Sequence, residues 1–146
     1  MFRLFNEIGI VSQLSSSLFN RLMPDGLHLS HFTVLNHLVR LGDGKTPLDI
    51  ASAMQVTKAT MTHTLGVLTE RGFVRLAPHA TDGRSKLVYL TDAGRICRDT
   101  AIERLWPSFD RIAGELDLQE ALSILPQIEA FRRVLDAERD GSPGVT

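Results

Sequence analysis

The chain has 146 residues, 43% of them hydrophobic, 6% aromatic and 23% charged. This ordinary globular composition excludes wholesale disorder and collagen-like repetition, and the length fits one compact domain or a small domain with an appended helical element. The net charge of −1 conceals a segmental bias: residues 45–98 carry eight basic and four acidic side chains, whereas residues 99–146 carry five and ten. A phosphate-binding face needs only local positive charge, because screening confines the field to about 8–10 Å. The longest apolar run, Leu87-Val88-Tyr89-Leu90, falls far below the roughly 18 residues of a membrane span. No signal-peptide progression follows Arg3, and a single cysteine, Cys97, cannot form an internal disulfide or a zinc knuckle. A soluble cytoplasmic protein without cofactor is expected.

The first element is helical: Leu4, Ile8, Val11, Leu18 and Leu22 recur at helical spacing, with Phe5 and Phe19 widening the stripe. Pro24-Asp25-Gly26 ends it. Ser30 is placed to cap a second helix with Phe32, Leu35, Leu38 and Val39 inward, and Gly42-Asp43-Gly44 stops that one. Thr46-Pro47 predicts a capped short helix over Pro47–Met54, offering Leu48, Ile50, Ala51 and Met54 to a core. After a turn at Gln55-Val56, Thr57 caps a longer helix to about Arg71, with Met61, Leu65 and Leu68 facing inward together and Gly72 as its left-handed stop.

The period then falls to two. Phe73–Ala77 and Lys86–Leu90 read as a hairpin with a polar tip containing Asp82 and Arg84. Thr91 caps a helix carrying Ile96, Ala101, Leu105, Phe109 and Ile112, which Pro107 should kink. Asp117-Leu118-Gln119-Glu120 opens one last helix with the stripe Leu118, Leu122, Leu125, Ile128 and Leu135, bent at Pro126. The expected architecture is mainly α with a small β-hairpin wing: an N-terminal helical region over 1–28, a winged helix-turn-helix over 29–91 (helix-turn-helix about 46–71, wing 73–90), C-terminal helices over 92–139, and a frayed tail over 140–146.

Two helices joined by a tight turn and followed by a hairpin leave the start of the second helix free to enter a major groove about 12 Å wide. Thr57, Lys58 and Thr60, with the backbone N–H groups there, suit phosphate contacts. Thr62 and His63 are placed to reach base edges, and simple exposure accounts for them equally well. Arg84 could enter a narrow minor groove, oriented through a bidentate pair with Asp82, and Lys86 joins this DNA-facing set. Phe32-Thr33-Val34-Leu35, Ile50-Ala51, Thr57-Lys58-Ala59-Thr60-Met61-Thr62, Glu70-Arg71-Gly72-Phe73-Val74 and Asp82-Gly83-Arg84-Ser85 followed by Leu90-Thr91 and Gly94 together resemble the MarR family of bacterial transcriptional regulators over roughly residues 4–138.

That resemblance implies a homodimer interlocked by its first and last helices. It presents one winged helix per chain to an inverted-repeat operator in double-stranded DNA, and commonly acts as a repressor that a small phenolic, a metal or an oxidant releases. It also implies an effector cleft between dimerisation helices and winged domain, with Phe19, His28, His31, Phe32 and Trp106 at its borders and a small aromatic effector as occupant. His63 stands where the family is usually basic, and residues 1–30 lack the cysteine of the peroxide-sensing branch. The alternative is a winged helix that pairs with a protein partner instead of DNA. Catalytic readings find no support: Gly44-Lys45-Thr46 resembles the end of a phosphate loop, but Val39 occupies the first glycine position and Pro47 follows at once. His28 and His31 lack an acidic or cysteine partner nearby in sequence, so no metal site is expected.

Overall fold

The computed structural model describes residues 1–79, 81 and 85–141, apart from the side chains of Asp25 and residues 139–141. The chain divides into two compact units, Met1–Trp106 and Pro107–Thr146. The first holds helices α1 (Phe2–Leu22), α2 (Leu29–Leu41), α3 (Pro47–Ala53) and α4 (Lys58–Glu70). Strands β1 (Val74–Pro78) and β2 (Lys86–Leu90) follow, and α5 (Asp92–Gly114) begins. The second holds the end of α5 with α6 (Leu118–Ser123) and α7 (Leu125–Gly141). No described helix is long and apolar enough to cross a membrane.

Local chemistry sets most boundaries. The Thr46 hydroxyl and N–H donate to Asp49 Oδ2 at 2.7 and 3.2 Å, while Asp49 N–H donates to Thr46 Oγ1 at 3.1 Å, a reciprocal cap on α3. Thr57 Oγ1 accepts from Thr60 N–H at 3.1 Å and starts α4. Gly72, at φ +72°, ends it. The turn between these two helices needs one residue in the left-handed region, and Gln55 occupies it at φ 57°.

α2 starts differently from the expectation. His28, not Ser30, is its N-cap, and Ser30 lies within the first turn. His31 Nδ1 accepts from His28 N–H at 3.0 Å, doing for this helix what a carboxylate or amide at that position usually does.

The core of the first unit gathers Val34, Leu35 and Leu38 from α2, Ile50 and Ala51 from α3, Met61, Leu65 and Leu68 from α4, Val74 and Val88 from the hairpin, and Cys97, Ala101 and Leu105 from α5. Not every expected inward position is in it: Leu48 is 64% exposed and Ile96 66% exposed, and Val39 stands outside the core while Val34 is buried in it, because burial follows the neighbouring helices and not the apolar character of each side chain alone.

β1 pairs antiparallel with β2, Val74 opposite Leu90 through Pro78 opposite Lys86, so the first strand runs one residue later than the hydrophobic run suggests. A third edge was not foreseen: Val88 N–H donates to Lys45 O and Gly44 N–H to Val88 O, both at 2.8 Å. Asp43 Oδ2 also accepts from Leu90 N–H at 3.1 Å. Thr91 joins the hairpin to α5, its hydroxyl bonded to Gly72 O at 2.7 Å and accepting from Gly94 N–H at 3.0 Å.

In the second unit the expected single last helix is two. Pro126 has no N–H to offer the Leu122 carbonyl, so the ladder lapses and α7 restarts with Ile128 N–H on Ile124 O at 3.1 Å. Asp117 Oδ1 accepts from Glu120 N–H at 3.0 Å and caps α6 as expected. α5 runs without a break through Pro107.

Candidate nucleic-acid interface

α4 is held from behind by Met61, Thr64, Leu65 and Leu68, all buried. Its opposite face is exposed: Lys58, Ala59, Thr62, His63, Gly66 and Thr69. The helix is amphipathic by burial though not strongly so by hydropathy, because apart from Lys58 and His63 that outer face is built from the small, neutral Ala59, Thr62, Gly66 and Thr69. Its first turn contains no acidic side chain, so the positive end of the helix dipole is not offset by a local carboxylate.

Within that turn the hydroxyls of Thr57 and Thr60 lie 2.9 Å apart, and Thr62 Oγ1 donates to Lys58 O at 2.8 Å. These bonds fix the threonines locally, and Lys58 beside them is exposed. Of the expected DNA-facing residues, Thr57, Lys58, Thr60, Thr62 and His63 all sit exposed at the start or on the outer face of α4. Lys86, exposed at the foot of β2, borders with Thr62, Gly66, Thr69 and Leu76 a groove of about 540 Å³ between α4 and the hairpin. Asp82 and Arg84 lie outside the described residues.

The hairpin carries a cation that sequence reasoning did not single out. Arg75 opposes Tyr89 across the strands, its guanidinium carbon 4.4 Å from the ring centroid. Its signal was the two-residue period, which places Arg75 on the face opposite Val74. Arg98 is committed elsewhere, with Nε and Nη2 on Asn36 Oδ1 at 3.1 and 2.9 Å and Nη1 on Asp99 at 2.8 Å. It ties α5 to α2.

The residues expected around an effector cleft stand in different surroundings. Phe19 and Phe32 pack on each other at 6.0 Å against the core. His31 is buried, and that burial, with the nearby His28 and Arg71, holds its pKa below 6.5. Trp106 is 56% exposed. His28 alone of the five borders a cleft of about 430 Å³, between α1, the start of α2, the turn after α3 and the start of α4. Among the described residues, no group of three or more His, Cys, Asp or Glu could hold a metal ion.

Comparison with known proteins decides what this geometry is. Residues 25–85 match the model of the MarR family. A structure of a mutant MarR from E. coli complexed with operator DNA superposes with a TM-score of 0.77 at 22% identity, covering 88% of this chain and 93% of that one. The chain has the winged helix-turn-helix fold of the MarR structures. The MarR fold extends through the flanking helices too: the PcaV transcriptional regulator of Streptomyces coelicolor, solved with its natural ligand, aligns over 90% of each chain with a TM-score of 0.72 and 22% identity. An HTH-type transcriptional regulator of Mycobacterium tuberculosis is 33% identical over 93 residues, which are 63% of this chain and 64% of that relative. In MarR terms, α3 and α4 form the helix-turn-helix and β1 and β2 the wing.

Proposed function

We propose that this chain is a homodimeric, sequence-specific DNA-binding transcriptional regulator that acts as a repressor relieved by a small-molecule effector. The observation that carries the DNA reading is the outer face of α4. Lys58, Thr62 and His63 stand exposed on a helix whose inner face is locked into the core and whose first turn is free of carboxylates. The start of α4 enters the major groove, with Thr57, Lys58 and Thr60 on phosphates and Thr62 and His63 toward base edges. Lys86 and Arg75 add charge from the wing, and Arg84, oriented by Asp82, is proposed for the adjacent minor groove. The match to a MarR structure bound to operator DNA supports this reading.

Dimerisation is supported by apolar side chains that neither unit buries. α1 exposes Val11 by 63% and Leu14 by 66%, and α7 exposes Val134 by 58%. Burial of such faces in a twofold pair sets two winged helices against two half-sites about one helical turn apart. The 430 Å³ cleft, with Thr60, Met61 and Thr64 of α4 in its wall, supports the effector reading.

Fluorescence anisotropy with labelled DNA from upstream of the protein's own gene tests the proposal. Specific binding should weaken steeply with salt, and Lys58→Ala should lower the salt slope by about one while weakening binding to all sequences alike. Absence of binding at low salt would refute the DNA reading in favour of a protein-interaction module.

A further inference from the structure

Gly66, on the outer face of α4, has no packing reason to be a glycine. It lies inside the helix, where glycine is weaker than alanine. Beyond the helix's own backbone, a Cβ there would meet nothing within 4 Å. A helical side chain leans toward the N-terminus and covers the preceding turn. A side chain at 66 would therefore lie over Thr62, one turn earlier, and glycine leaves Thr62 open while letting another molecule approach the backbone.

Thr62 is exposed, and its hydroxyl proton is already placed: Oγ1 donates to Lys58 O at 2.8 Å. To donate to a base, the hydroxyl would have to give up that bond. What remains for a ligand is the methyl group and the lone pairs of Oγ1, an apolar contact beside an acceptor. In the major groove an A·T pair offers the complement, since adenine presents its N6 amino donor and thymine its 5-methyl group. Guanine presents the acceptors O6 and N7, which oppose the acceptor of Thr62, and cytosine has an amino donor but no methyl group.

Resting on the DNA reading proposed above, we infer that Thr62 is a specificity-determining residue that selects an A·T pair in each half-site. Its methyl group packs on the thymine 5-methyl group and its Oγ1 accepts from the adenine amino group. Gly66 lets the α4 backbone come close enough for both. The two halves of this contact are separable: Thr62→Ser keeps the oxygen and loses the methyl group, whereas Thr62→Val keeps the methyl group and loses the oxygen.

Fluorescence anisotropy of the full chain, on the operator located by footprinting its upstream DNA, tests this with two base analogues. Deoxyuridine in place of a thymidine removes only the 5-methyl group, and deoxynebularine in place of the paired deoxyadenosine removes only the amino group. At one A·T pair in each half-site, either replacement should weaken binding by about threefold to tenfold. Thr62→Ser should bind the thymidine and deoxyuridine operators alike while still sensing the amino group, and Thr62→Val should do the reverse. Gly66→Ala should keep its urea midpoint or raise it, yet bind the operator about tenfold more weakly. The inference alone falls, and the DNA reading stands, if no half-site thymine is sensitive to deoxyuridine, if Thr62→Ser leaves that penalty in place, or if Gly66→Ala binds at full affinity. Absence of binding to any duplex at low salt overturns the DNA reading itself, and this inference with it.

Discussion

Gly94 shows how one missing side chain fixes the junction between wing and helix. A Cβ at this position would overlap the Phe73 carbonyl oxygen and crowd Leu90 Cδ1. The obstacle is backbone, and that same carbonyl also accepts from Thr91 N–H at 3.1 Å, so it cannot retreat without breaking the link. Gly94→Ala should cost about 1–3 kcal/mol of folding stability, read as a lower midpoint in urea with an unchanged slope. The sequence displayed this glycine in Leu90-Thr91 followed by Gly94 but not its reason, which is a contact between residues 21 positions apart. Leu48 and Ile96 teach the same lesson. Each reads as core and is exposed, because helical spacing fixes which residues share a face but not which face is covered.

At the level of elements, helix starts marked by threonine or aspartate were legible, since their capping chemistry is local: Thr46, Thr57 and Asp117 all cap as expected. The start of α2 was not, because its cap is a pair of histidines. That device is pH-sensitive. His31 accepts from His28 N–H through Nδ1, so the ring must be unprotonated there, and burial together with His28 and Arg71 depresses its pKa from 6.5. The unfolded chain binds the proton more readily than the folded one, so stability should be full above about pH 6.5 and fall as the pH drops below it. His31→Gln retains an acceptor for the cap and should flatten this decline in urea titrations between about pH 7 and 5. An undiminished decline would assign the effect to another group. Asp49 gives a separate, more acidic contribution. Its hydrogen bonds from Thr46 lower its pKa from 3.8, so the stabilisation it lends α3 is present above that value and is lost as pH falls through its folded pKa. The Lys45–Val88 bridge escaped sequence reading because an isolated backbone pair carries no side-chain period.

Across the whole molecule, each unit carries apolar surface that it does not cover itself. α1 contributes none of the buried residues, and Leu118, Leu122, Leu125, Ile128 and Leu135 are all between 42% and 52% exposed. The periodicity of these stripes was readable from the chain, whereas their partner was not, because a hydrophobic stripe records that a face is buried and not by what. Burial in a homodimer predicts that Leu14→Glu, placed on the exposed side of α1 where a monomer would tolerate it, shifts the sedimentation of the protein toward a single chain. A single-chain wild-type protein would contradict the twofold arrangement. The candidate interface was legible where it depends on one helix with a capped start, and less so where it depends on strand pairing, as for Arg75. The account is tested most directly by titrating the purified protein against its own upstream DNA in increasing salt, with sedimentation of the complex in parallel. It predicts two chains per specific duplex and an affinity that falls steeply and linearly with salt on logarithmic axes; a salt-independent or absent interaction, or one chain per duplex, would contradict it.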